Sequence, residues 1–235
     1  MKRILAGVLL LLSTIDSYGQ EVHGDPNVWF FMLNHYSLNE KWRIGNELHV
    51  RRNDWTKEQE QFLIRPYLDY KLNDNVSFTV GYTYIKNSQF GKYPLPTAVP
   101  ENNIWEQVTL TQKIGKLKIM HRYRQEHRFI GVPVKVSDDN YEIDGTHFTN
   151  RFRYRFTMFR DLTDDWFVHV FDEIWFHQDG LKPKSFDRNW LYVGAGYRVA
   201  RNANVQLGFL HQWIRATADR YAERPTVQLM FQYDF

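Results

Sequence analysis

The sequence predicts an all-β protein: a transmembrane, antiparallel, up-and-down β-barrel of 10–12 strands, twelve favoured, preceded by a cleaved signal peptide. Three observations point there. Apolar and polar residues alternate with a period of two along eleven segments, each 11–14 residues long. The stretches between those segments alternate between short and long. Large rings are abundant, with 8 Trp, 14 Tyr and 17 Phe making up 17% of 235 residues, yet mean hydropathy is −0.56.

Composition removes several classes first. A helical membrane protein needs runs of about 18 or more apolar residues, and the chain has none. Disordered chains are poor in aromatics. A formal net charge of +3 without a basic run gives no electrostatic footprint for nucleic acid. The absence of cysteine removes disulfides, thiol chemistry, Cys-ligated metals and a lipidated N-terminal Cys, so a lipoprotein is not expected.

The N-terminus reads as an export signal. Lys2-Arg3 precede the apolar run Ile4 to Leu12, and Ser17-Tyr18-Gly19 offers small residues at the two positions a signal peptidase reads. The apolar run is too short to span a bilayer. Cleavage is expected after Gly19, leaving 20–235 as one barrel domain.

The alternating segments are 27–37, 41–53, 61–72, 76–88, 104–114, 117–130, 148–160, 165–177, 188–199, 204–215 and 225–235. In 41–53, Trp42, Ile44, Leu48 and Val50 oppose Arg43, Glu47, His49 and Arg51. In 148–160, Phe152, Tyr154, Phe156 and Met158 oppose Arg151, Arg153, Arg155 and Thr157. Successive strand side chains point to opposite faces, so each segment has an apolar face and a polar one. Together the segments claim more than half of the chain, and each is roughly twice the length of an ordinary strand. Crossing a bilayer at a tilt takes about 9–11 residues. Short connections at 38–40, 73–75, 115–116, 161–164 and 200–203 face longer ones at 54–60, 89–103, 131–147, 178–187 and 216–224, as in outer-membrane barrels. The short turns use Asn, Asp and Gly, as in Asn73-Asp74-Asn75 and Gly115.

Parity needs a further element. Eleven strands set the first and last side by side in parallel, whereas single-chain bacterial barrels have even counts. Either 20–26 adds a short twelfth strand, or one segment leaves the wall. The doubtful segments are 27–37, apolar on both faces, and 165–177, where Asp172-Glu173 puts a carboxylate on each face. Trp42, Trp166 and Tyr233 near one rim, and Tyr84 and Trp213 near the other, fit two interfacial girdles. The final segment ends Phe231-x-Tyr233-x-Phe235, which resembles the C-terminal signal read by the bacterial barrel-assembly machinery. The location expected is the outer membrane of a Gram-negative bacterium, in contact with its lipids.

Several stretches resemble an outer-membrane family of Bacteroidetes-type bacteria, catalogued as domain of unknown function 2490. They are Arg65-Pro66 with Tyr70 to Phe78 and Gly81-Tyr82, then Gln125 to Phe129, Asn150 to Arg155, Asp172-Glu173, and Asn189 with Tyr192 to Tyr197. The resemblance spans most of the mature chain. It implies an outer-membrane location and carries over no catalytic residues.

Chemistry is concentrated on the inner face. Segment 117–130 turns inward Lys118, Arg122, Arg124, Glu126 and Arg128, and its hairpin partner adds Arg151, Arg153 and Arg155. Arg43, Arg51, Arg65, Lys71 and Arg198 also face in, against Glu47, Asp69, Glu126, Asp234 and the ambiguous Glu173, so twelve basic residues meet at most five acids. Two readings stay open. One is a lumen filled by an arginine–carboxylate network in place of a core. The other is an electropositive pore or pocket for a small anionic solute, since guanidinium forks pair with carboxylate and phosphate. No cofactor is expected, and the nine His show no ligand spacing. A lipid hydrolase or acyltransferase is the alternative from another class. Of Ser37, Ser77, Ser88, Ser137 and Ser185, only Ser88 and Ser185 lie near the long-loop rim, where His127, His147 or His177 would have to serve as base.

Overall fold

The computed structural model describes residues 20–23, 26–91, 95–138, 140–215 and 220–235; the expected signal segment 1–19 lies outside them. Twelve strands are present: β1 (Gln20–His23), β2 (Asn27–Ser37), β3 (Trp42–Asn53), β4 (Glu58–Lys71), β5 (Val76–Asn87), β6 (Val99–Ile114), β7 (Leu117–Ser137), β8 (Asn140–Asp161), β9 (Trp166–Asp179), β10 (Lys182–Ala200), β11 (Ala203–Arg215) and β12 (Arg220–Asp234).

Strands β2 to β12 pair in sequence order, each antiparallel to the next, and β12 then pairs with β2 to close the barrel. The closing seam is parallel, running from Thr226 opposite Asn27 to Asp234 opposite His35. It is pinned at its end by His35 Nδ1 and Asp234 Oδ1, 2.5 Å apart, and by the Phe235 N–H donating to the His35 carbonyl at 2.8 Å. The short strand anticipated in 20–26 exists as β1, but it does not restore an even count. It lies on the edge of β12 that β2 also occupies, Gln20 opposite Arg220, and so extends the line of β2. The wall therefore has eleven staves, and both doubtful segments belong to it. With an odd count, β2 starts at the rim opposite Phe235.

The strands outrun the apolar stretches that announced them. β7 and β8 stay paired up to Ser137 opposite Asn140, so the long loop expected at 131–147 is mostly a hairpin. The loop expected at 178–187 is likewise taken up by β9 and β10. Beyond the apolar band both faces of a hairpin meet water, so the alternation fades while the backbone ladder continues. A shift of register at Gly131/Pro133 absorbs the proline, and a second follows at Lys135/Ser137. At the opposite rim the turns are tight. Asn39 Oδ1 accepts the N–H groups of Lys41 and Trp42 at 2.9 Å, and Asn73 Oδ1 does the same for Asn75 and Val76 at 2.9 Å.

The burial pattern is inverted relative to a water-soluble protein. Among the described residues, 27 buried polar or charged residues outnumber 13 buried apolar ones. Large apolar side chains such as Ile44, Val80, Ile104, Val193, Leu207 and Phe209 point outward and are exposed. Outward ring pairs gather at both rims, Trp42–Tyr70 and Trp166–Tyr197 at one, Trp213–Tyr221 at the other. Inside, rings lie over glycines: a Cβ on Gly81 would sit 2.3 Å from Trp105, and one on Gly196 2.1 Å from Phe167. A ring lying on a strand glycine fills the volume the missing side chain leaves.

Candidate functional site

The period-two pattern of β3, β4 and β6 to β10 brings their inward residues to mid-height, where they form a belt across the lumen. Glu126 and Glu173 are its acidic centres, both essentially without exposed surface. Glu173 accepts from Arg122, from Arg153 through Nε at 2.9 Å and Nη2 at 3.0 Å, and from Arg155 through Nε at 3.0 Å and Nη2 at 2.6 Å. Glu126 accepts from Arg151 Nε at 2.7 Å and Arg153 Nη1 at 2.6 Å. Arg153 thus joins the two carboxylates. Arg124 gives both Nε and Nη2 to Gln107 Oε1, at 2.9 and 2.7 Å, and lies 3.9 Å over the Trp105 ring. On the facing wall Arg65 pairs with Glu47 and donates from Nε to Thr83 Oγ1 at 3.0 Å. Five arginines of one hairpin thus face two carboxylates. Charges this deeply buried persist only when paired and hydrogen-bonded, which is why the belt is continuous.

Open space lies on both sides of the belt. A polar vestibule of about 480 Å³ opens at the tight-turn rim, with Arg43, Asp69, Lys71, Thr79 and Lys118 on its wall. Arg43 Nη2 and Thr79 Oγ1 both donate to Asp69, at 2.9 and 2.7 Å. In the turn at its mouth, hydrogen bonding to and the charge of Lys71, 2.7 Å away, hold the Asp74 carboxyl below its ordinary pKa. On the other side is an inner chamber of about 180 Å³, lined by eight arginines but only two glutamates, Glu47 and Glu101. Glu47 and Arg122 line both spaces. Above the chamber, Arg128 grips Glu101 with Nε at 2.7 Å and Nη2 at 2.9 Å.

Comparison with known proteins places this barrel. A family model described as protein of unknown function (DUF2490) matches residues 26–223. The chain belongs to the DUF2490 family. No curated protein matches it. Among solved structures, the NanC porin in a rhombohedral crystal form is similar at 10% identity and a TM-score of 0.46, covering 80% of this chain and 81% of that one.

In the DUF2490 barrel, the basic cluster expected from the sequence is largely one object. Arg122, Arg124, Arg151, Arg153, Arg155 and Glu126 meet in the belt, and Glu47 faces them with Arg65. Arg128 stands above them with Glu101. Lys118 is apart, in the vestibule, its Nζ 5.7 Å from the Phe159 ring. Phe231 is exposed on the outer face, and Tyr233 meets Phe235 edge-on at 4.7 Å. The ambiguous pair at 172–173 resolves: Glu173 points in, and Asp172 points out to Asn189 Nδ2 at 3.0 Å. Sequence reasoning missed Glu60, Glu101 and Asp187, because each fell in a stretch assigned to a loop. Glu60 holds Arg224 and the Trp29 indole, both at 2.9 Å. Of the candidate serines, Ser185 is the cross-strand partner of His177, whose Nε2 lies 3.6 Å from Asp187 Oδ1. His127 is engaged by Asn150 at 2.8 Å and Glu106 at 3.2 Å.

Proposed function

We propose that this DUF2490 barrel resides in the outer membrane of a Gram-negative bacterium and that its lumen is a narrow, anion-favouring route or binding compartment without catalytic chemistry. The membrane location is supported by the apolar outer belt between ring-bearing rims. A surface of that extent is not left bare in water, and a closed barrel is the one sheet that satisfies its backbone within lipid. The anion preference rests on a single observation: the inner chamber presents eight arginines against two glutamates. Low-dielectric walls carrying one sign of charge concentrate the opposite ion. The barrel-assembly machinery would insert such a chain, and small carboxylates or phosphates are the solutes that guanidinium groups recognise.

A second reading, a structural barrel with a filled lumen, is favoured by the belt itself, in which every arginine of the hairpin already has a polar partner. Planar-bilayer recording under a KCl gradient separates the two. The proposal expects small conductance steps with a reversal potential on the chloride side, shifted toward cation preference in Arg122→Gln and Arg155→Gln. No conductance, together with no uptake of anionic solutes into proteoliposomes, would leave the filled barrel.

A further inference from the structure

The inner chamber contains an asymmetry finer than its net charge. Four nitrogens on residues that line it are buried without a hydrogen-bond partner: Arg51 Nε, Arg122 Nε, Trp175 Nε1 and Trp190 Nε1. All four are donors. Buried donors left unpaired are costly and uncommon, and several around one small space define a place for an acceptor.

Arg51 is the sharpest case. It is 8% exposed, and among the described residues it forms no ion pair: its Nη1 donates to the neutral Gln61 Oε1 at 2.5 Å. Its guanidinium lies 3.9 Å over the Trp29 ring and 5.5 Å from Trp190. The charges that bear on it most are Glu60 and three further arginines, Arg65, Arg153 and Arg188. Trp190 and Trp175 sit 4.5 Å apart, centre to centre, so their unpaired N–H groups belong to the same wall. Arg153 and Arg188, which also line the chamber, lie 3.8 and 4.9 Å from the Trp175 ring. The one acid bearing on it, Glu60, is already held by Arg224 and the Trp29 indole, so a buried guanidinium with a neutral partner, beside two unpaired indole N–H groups and among other cations, has no counter-ion of its own.

We propose that the inner chamber, at Arg51, Trp175 and Trp190, is a specific binding site for one small oxyanion, a carboxylate or a phosphate. The inference deepens the anion-favouring reading and rests on it. About 180 Å³ admits an anion of a few heavy atoms. Its oxygens complete the donor set that the protein leaves open, while the belt below keeps it from the vestibule.

The test is calorimetric titration of the folded, full-length protein in detergent, in a buffer free of other oxyanions, with inorganic phosphate in one arm and acetate in the other. The arm that saturates identifies the source of the oxyanion. One saturable site is expected, weakened about 10- to 100-fold in Arg51→Gln and measurably in Trp190→Phe, which keeps the ring and removes the donor. Heat-modifiable gel mobility verifies that each variant is a folded barrel. No saturable heat in either arm overturns the proposal. So does binding that survives Arg51→Gln and Trp190→Phe but is lost in Arg43→Gln, which would put the anion in the vestibule. The reversal potential is read on the same preparation: anion preference without saturable binding removes this site and leaves the broader reading, whereas loss of both removes both.

Discussion

At Glu173 three arginines converge on one carboxylate that has no contact with solvent. Glu173→Gln keeps the shape and removes the charge, leaving Arg122 and Arg155 without a carboxylate. Breaking a buried ion pair from one side costs about 3–5 kcal/mol. The variant should therefore lose stability by about that amount, read as a lower midpoint of denaturant unfolding followed by heat-modifiable gel mobility. An unchanged midpoint would mean that the belt is not a structural core. This residue also shows what the sequence can and cannot convey. Alternation alone could not choose between Asp172 and Glu173, since a carboxylate stood on either parity. The choice is made across strands, where Arg153 and Arg155 on β8 turn toward β9 from the same side.

Each of the eleven strands was legible because an apolar outer face and a polar interior impose opposite chemistry on neighbouring residues. Their outer ends were not legible, because alternation reports where the outer face is apolar and not backbone pairing. The acids that neutralise the upper arginines, Glu60, Glu101 and Asp187, sit in those unreported ends. That is why the lumen read from sequence was more basic than the one that forms. Inward glycines had a meaning that only the neighbouring strand reveals. Gly81 leaves room for Trp105, whose Nε1 donates to Thr83 Oγ1 at 2.9 Å and whose face carries Arg124. In Gly81→Ala the new methyl would meet Trp105 at 2.3 Å, so the ring must move and disturb Arg124 with it. A loss of about 1–3 kcal/mol is expected, in the range of overpacked cores. The same unfolding assay measures it, and a midpoint equal to the parent's would show that the ring is not held.

Taken as a whole, the molecule exchanges the usual places of polar and apolar side chains. Arginine, glutamate and glutamine fill the interior, and valine, leucine, isoleucine and phenylalanine cover the outside. The parallel seam follows from the odd number of staves: when eleven strands alternate in direction, the first and last run the same way, and the β12–β2 seam supplies that pairing. The expectation of an even count came from a regularity among bacterial barrels, and no residue in the sequence contradicts it. The two-faced wall underlies both the proposed membrane location and the arginine lumen, and the cysteine-free sequence makes it directly measurable. Single cysteines at each position from Val227 to Gln232 on β12, spin-labelled in lipid bilayers, would report accessibility to oxygen and to a water-soluble nickel complex. The account predicts a period of two, with oxygen accessibility highest at Val227, Leu229 and Phe231 and lowest at Gln228, Met230 and Gln232. An absent or inverted period would contradict it.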